Sequence, residues 1–103
     1  MKKALREMAE ALLAQGKAKV MADFLKDILT PSEVQTIALR WELLKRLLEG
    51  KSQRTIAAEL GVSLCKITRG SRELHKENSV LKRVIGDYLA RRASHMHVNR
   101  GLK

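Results

Sequence analysis

An all-α fold is predicted by three features of the sequence. Apolar residues recur at three- and four-residue spacing through nearly every segment. Helix start and stop signals separate the segments: Thr30-Pro31, Ser52 and Ser63 at starts, Gly16, Gly50 and Gly61 at ends. No run alternates apolar and polar residues as a strand would, and the aromatic residues are only Phe24, Trp41 and Tyr88. A core of Leu, Ile, Val, Ala and Met suits helices. With 45% hydrophobic and 31% charged residues the chain reads as globular, and 103 residues suffice for one domain near the small end for a self-sufficient core.

Taken in order, Lys2 to Gln15 carries Leu5, Met8, Ala9, Leu12 and Leu13 on one side, an amphipathic helix that Gly16 breaks. Lys17 to Leu29 resumes with Val20, Met21, Phe24, Leu25, Ile28 and Leu29. That stripe is two residues wide, which fits either a central helix of a bundle or a helix covered by a second subunit. Thr30-Pro31-Ser32-Glu33 is the sharpest local signal. Threonine caps, proline sits at the first helical position, and glutamate three residues after the cap closes a capping box. This helix should run to about Glu49, with Val34, Ile37, Ala38, Trp41, Leu44, Leu47 and Leu48 as its apolar face and Gly50 at its end. Arg40 stands beside that face.

Residues 52–74 predict a helix-turn-helix. Ser52 caps a short helix with Ile56, Ala57 and Leu60 inward, Gly61 supplies a left-handed turn, and Ser63 caps a second helix with Ile67 inward. In this motif the N-terminal end of the second helix enters the major groove. A helical hairpin buried in a bundle is the plainer reading, but it has no use for Arg54, Lys66, Arg69 and Arg72 on its polar side. Gln53, Arg54, Leu64, Cys65, Lys66, Thr68, Ser71 and Arg72 are therefore the candidate DNA-contacting residues. Arg54 and Lys66 lie where side chains reach base edges; Thr68, Ser71 and Arg72 suit phosphates. Cys65 has no poised base nearby in sequence and reads as a small contact residue. Asn78 or Ser79 can cap a last helix with Val80, Leu81, Val84, Ile85, Tyr88 and Leu89, again a wide stripe. The globular domain is expected over 1–93. Residues 94–103 read as a basic, mobile tail whose His95 and His97 are too weak a pattern for a metal site.

The formal net charge is +10. Residues 63–103 carry ten basic and three acidic groups, so most of the excess lies on and after the proposed reading helix. That asymmetry points to a polyanion, nucleic acid first and an anionic surface second. A lone cysteine fits a reducing cytoplasm, and neither a signal peptide nor a membrane-length apolar run is seen. No acid, base, nucleophile or metal constellation suggests an enzyme.

Leu29-Thr30-Pro31, Arg40, LLEG at 47–50, SQR at 52–54, ELG at 59–61 and ITRGS at 67–71 resemble the bacterial tryptophan repressor family, chiefly over Leu29 to Leu74. The resemblance implies a six-helix, intertwined homodimer and a repressor that binds double-stranded operator DNA with L-tryptophan as co-repressor. It implies an indole between Arg40 and Arg69, a ligand carboxylate held by Thr30 and Arg69, and room for the ring at Gly70. Three positions depart from the family pattern. Glu73 replaces a serine near the ligand's amino group, where its carboxylate could pair with the ammonium or be drawn to Arg69 or Arg72. One residue is missing between Gly50 and Ser52, and Ala57 stands where the family has a lysine, so the operator is not carried over. A ligand-independent DNA-binding regulator on the same scaffold is the first alternative, and an RNA- or anionic-surface-binding module the second.

Overall fold

A computed structural model describes the backbone of residues 1–101 and the side chains of residues 1–94. In those residues the chain forms helices and no strand: α1 (Lys2–Gln15), α2 (Ala18–Ile28), α3 (Pro31–Leu48), α4 (Gln53–Leu60), α5 (Leu64–His75) and α6 (Val80–Gly101). The all-α expectation holds.

The boundaries follow local chemistry. Gly16 ends α1 with φ 63°. The box predicted at the start of α3 is reciprocal: the Thr30 N–H donates to Glu33 Oε1 at 2.8 Å, and the Glu33 N–H donates to Thr30 Oγ1 at 3.1 Å. At the other end Gly50, at φ +90°, lets its own N–H reach the Leu47 carbonyl and the Lys51 N–H reach that of Arg46, a Schellman closure. Ser52 accepts from the Thr55 N–H and Ser63 from the Lys66 N–H, so both helices of the helix-turn-helix carry the predicted caps, with Gly61 left-handed between them. Ser79 rather than Asn78 caps α6, accepting from the Lys82 N–H at 3.2 Å, while Asn78 takes the left-handed turn position at φ 57°.

The last helix differs from expectation. α6 continues to Gly101, into the segment expected as a tail. Ala90 to Ala93 are good helix formers and no glycine or proline follows until Gly101, so the backbone propagates without an apolar stripe. The expected mobility of the tail and the readings of His95 and His97 fall outside the described side chains.

The contacts gather into two compact units, Met1–Ile37 and the chain from Ala38 on. In the first, α1 and α2 touch, and neither contains a buried residue. In the second, Leu43, Leu44, Ile56, Ile67, Leu74 and Ile85 form one core, flanked by Trp41, Leu47, Leu48, Ala57, Leu60, Val62 and Leu89. Trp41 and Tyr88 meet edge to face with centroids 5.6 Å apart. Leu43 was absent from the predicted apolar face of α3. It is buried because Gly70 of α5 packs on that side: a Cβ built on Gly70 would lie 2.7 Å from Leu43 Cδ2 and 3.3 Å from Leu44 Cδ2.

Candidate nucleic-acid interface and ligand residues

The helix-turn-helix is held from beneath by two isoleucines. Ile56 of α4 and Ile67 of α5 are both fully buried, so the opposite faces of the two helices are turned to solvent. On those faces Gln53, Arg54, Leu64, Cys65, Lys66, Thr68 and Arg72 are exposed, and Ser71 is half-buried. Leu64 opens α5 with half its surface free, an apolar group among the exposed polar ones. The Thr68 hydroxyl bonds the Leu64 carbonyl at 2.9 Å and lies 3.4 Å from Gln53 Oε1, which ties the polar side of α5 to the start of α4. His75 Nδ1 donates to the Ser71 carbonyl at 2.7 Å and lies 3.5 Å from its hydroxyl.

A charge network that sequence reasoning missed fixes α4 against the end of α3. Glu42 accepts from Lys45 at 2.9 Å and Arg46 at 3.0 Å; Arg46 also reaches Glu59 of α4 at 3.3 Å, and Lys51 reaches Glu59 at 2.9 Å. The hydrogen bond from Lys45 holds the Glu42 carboxyl below its ordinary value against the opposing effect of burial, and the charges of Lys45 and Arg46 add to the lowering. The spacing of Glu42 and Arg46 is a local helix signal, but nothing local marks Glu59 as their neighbour.

The residues implied as ligand-binding divide between the units. Thr30 belongs to the first, and Arg40, Arg69, Gly70 and Glu73 to the second. The exposed Thr30 oxygen accepts in the capping box, which leaves its hydroxyl proton available to a carboxylate. Arg40 and Arg69 are exposed, each within one turn of the contact between Gly70 and the α3 leucines. Glu73 is engaged by neither Arg69 nor Arg72: its carboxylate pairs with Lys76 at 2.9 Å. Among the described residues no cluster of His, Cys, Asp and Glu could hold a metal ion, and no helix is long and apolar enough to cross a membrane.

Comparison with known proteins agrees with the geometry. The family profile described as Trp repressor protein matches residues 3–88. A Trp operon repressor homolog of Photobacterium profundum is 38% identical over 80 residues, covering 76% of this chain and 78% of the relative. One of Xylella fastidiosa is 39% identical over 72 residues, 69% of this chain and 72% of the relative. One of Chlamydia trachomatis serovar D is 42% identical over 59 residues, 56% of this chain, and the match spans 63% of that relative's length.

Proposed function

The chain belongs to the Trp repressor family, and from that premise we propose that it is a sequence-specific DNA-binding transcriptional repressor, a homodimer that takes L-tryptophan as co-repressor. The observation that carries the reading is the capped helix-turn-helix over 52–75, whose apolar sides are buried by Ile56 and Ile67 while Arg54, Leu64, Cys65 and Lys66 stand free. An α-helix presented in this way fits the major groove, and the basic excess on and after α5 supplies attraction to phosphates.

In this reading Arg54 and Lys66 donate to base edges and Leu64 packs on a thymine methyl. Gln53, Cys65, Thr68, Ser71 and Arg72 complete the contact and set the register on the backbone. Thr30 and Arg69 hold the ligand carboxylate, and the indole stacks between the guanidinium planes of Arg40 and Arg69. Glu73 takes the ammonium. A ligand bound beside α5 acts only by favouring the placement of the two reading helices that matches successive major grooves, because a ligand indifferent to that placement shifts nothing. The family is one of regulators, and no enzymatic step is assigned.

The test is affinity for a duplex selected from a random library, measured across a tryptophan titration. Tightening of roughly five- to 150-fold is expected, the usual range of such coupling. The pairing of Glu73 with Lys76 favours one second reading, a ligand-independent DNA-binding regulator. High affinity that stays flat across the titration selects it. Equal affinity for random duplex, RNA and anionic vesicles would point instead to a general anionic-surface module.

A further inference from the structure

A groove of about 580 Å³ lies where α5 gives way to α6, lined by Lys76, Asn78, Ser79, Lys82, Arg83 and Gly86. Its size is that of a small-molecule site. Three of its six lining residues are cationic and none is acidic. Lys76 is shared with Glu73, but among the described residues Lys82 and Arg83 have no carboxylate partner. Nearby Asp87 is already paired with Arg91 at 3.0 Å. Cations gathered on one concave surface repel each other, and an anion seated among them relieves that repulsion.

Gly86 adds an independent observation. It sits inside a helix, where glycine costs about 1 kcal/mol relative to alanine. Close packing does not account for it, because a Cβ built there would meet nothing within 4 Å. What the missing side chain leaves is open space along the groove. Asn78 and Ser79 contribute neutral polar groups at its edge.

The groove is also set apart from the proposed reading turn. Residues Ser63 to Lys66 open α5 and Lys76 follows its end, a separation of about 18 Å along the helix. We propose that this groove binds a free phosphate-bearing anion, through Lys82 and Arg83 with Lys76 at its rim, at a site separate from the reading helix's N-terminal turn and joined to the proposed tryptophan residues only through the Lys76–Glu73 pair. A phosphate of the DNA backbone is the other source of the same chemistry. The proposal does not depend on tryptophan as co-repressor.

The experiment is calorimetric titration of the full chain, free of DNA, with inorganic pyrophosphate, and with chloride at matched ionic strength as the control. Binding at one site per chain is expected. Lys82→Gln and Arg83→Gln should each weaken it about tenfold, the scale of one charge-assisted hydrogen bond. Arg92→Gln, a loss of the same charge outside the groove that leaves the Asp87–Arg91 pair intact, should leave it unchanged. Gly86→Leu fills the groove while raising helix propensity, so weaker pyrophosphate binding by a variant of undiminished helicity supports the site. Absence of pyrophosphate binding overturns the proposal, as does an equal loss in Arg92→Gln or unchanged binding in Gly86→Leu. Displacement of pyrophosphate by random duplex, together with a lower salt slope of DNA binding in Lys82→Gln, would assign the groove to the DNA backbone instead.

Discussion

Two glycines in neighbouring helices impose opposite expectations, and both can be read from stability alone. At Gly70 a methyl group would lie 2.7 Å from a side-chain carbon of Leu43, which is itself only 4% exposed and hemmed in by the core. Alanine there gains about 1 kcal/mol of helix propensity and meets an overpacking cost of about 1–3 kcal/mol. Gly70→Ala should therefore lower stability, by roughly 1 kcal/mol, whereas Gly86→Ala should raise it by a similar amount. Urea midpoints shifted in the same direction for both would refute the packing argument. The family resemblance gives Gly70 room for a ligand ring, and the leucine contact gives it a second reason to lack a side chain. The ligand proposal turns on Arg69 and Glu73. Arg69 is exposed, so Arg69→Ala should abolish the tryptophan response without unfolding the chain. Glu73 is bound only to Lys76, in a pair open to solvent, and such pairs contribute about 0–1 kcal/mol. That hold is weak enough to yield to a ligand ammonium, so Glu73→Ser should weaken tryptophan binding. Tighter binding in that variant would show the carboxylate to be an obstruction.

At the scale of elements, α4 and α5 are placed by buried isoleucines and by the charge network that joins α3 to α4. Base reading and phosphate anchoring separate by mutation. Arg54→Ala should cost about 1–3 kcal/mol on a selected duplex and relax preference, while Arg72→Ala should weaken all duplexes alike and lower the salt slope by about 1. Equal losses on selected and random DNA for Arg54→Ala would remove Arg54 from the base edges. The network has its own signature with pH. Because Lys45 and Arg46 hold the folded Glu42 carboxyl below its ordinary value of 4.5, its contribution to stability is present above that value. It is lost as pH falls through the folded value, and Glu42→Gln should flatten that part of the acid limb. An acid limb identical to wild type would exclude Glu42 from the network's stabilisation. What was legible here was local. The box at Thr30 and Glu33, the caps at Ser52 and Ser63, and the turns at Gly50 and Gly61 each depend on residues within one turn of each other. Leu43 escaped because its burial depends on where α5 crosses α3, one position off the stripe. The partnership of Arg46 with Glu59 escaped for the same reason, and the length of α6 because its last turns have no apolar face to announce them.

The whole molecule is marked by apolar surface that the single chain leaves open. Only six hydrophobic side chains are buried among the described residues, and all of them lie in the second unit. The wide stripes read from the sequence are largely uncovered: Ile28 of α2 is 56% exposed, and Val80 and Val84 of α6 are 61% and 50% exposed. Val20, Phe24, Leu25, Leu81 and Tyr88 are each more than a third exposed. Within the first unit α2 has no buried residue. Covering a side chain of this kind is worth about 1.5–3 kcal/mol, so the open stripes represent much of the stability that a small domain needs. A second copy presents the same stripes, and a two-fold arrangement would cover both sets at once. It would also supply the paired reading helices that a palindromic site requires. Folding would then be linked to association, and the thermal midpoint should rise with protein concentration. The expected mass by light scattering is that of a dimer. Replacing Phe24 and Val84 together by charged residues should yield monomers that unfold at lower temperature and bind the selected duplex poorly. A midpoint constant over a roughly hundredfold range of concentration, with a monomer mass throughout, would overturn the dimer, because linkage permits no such independence.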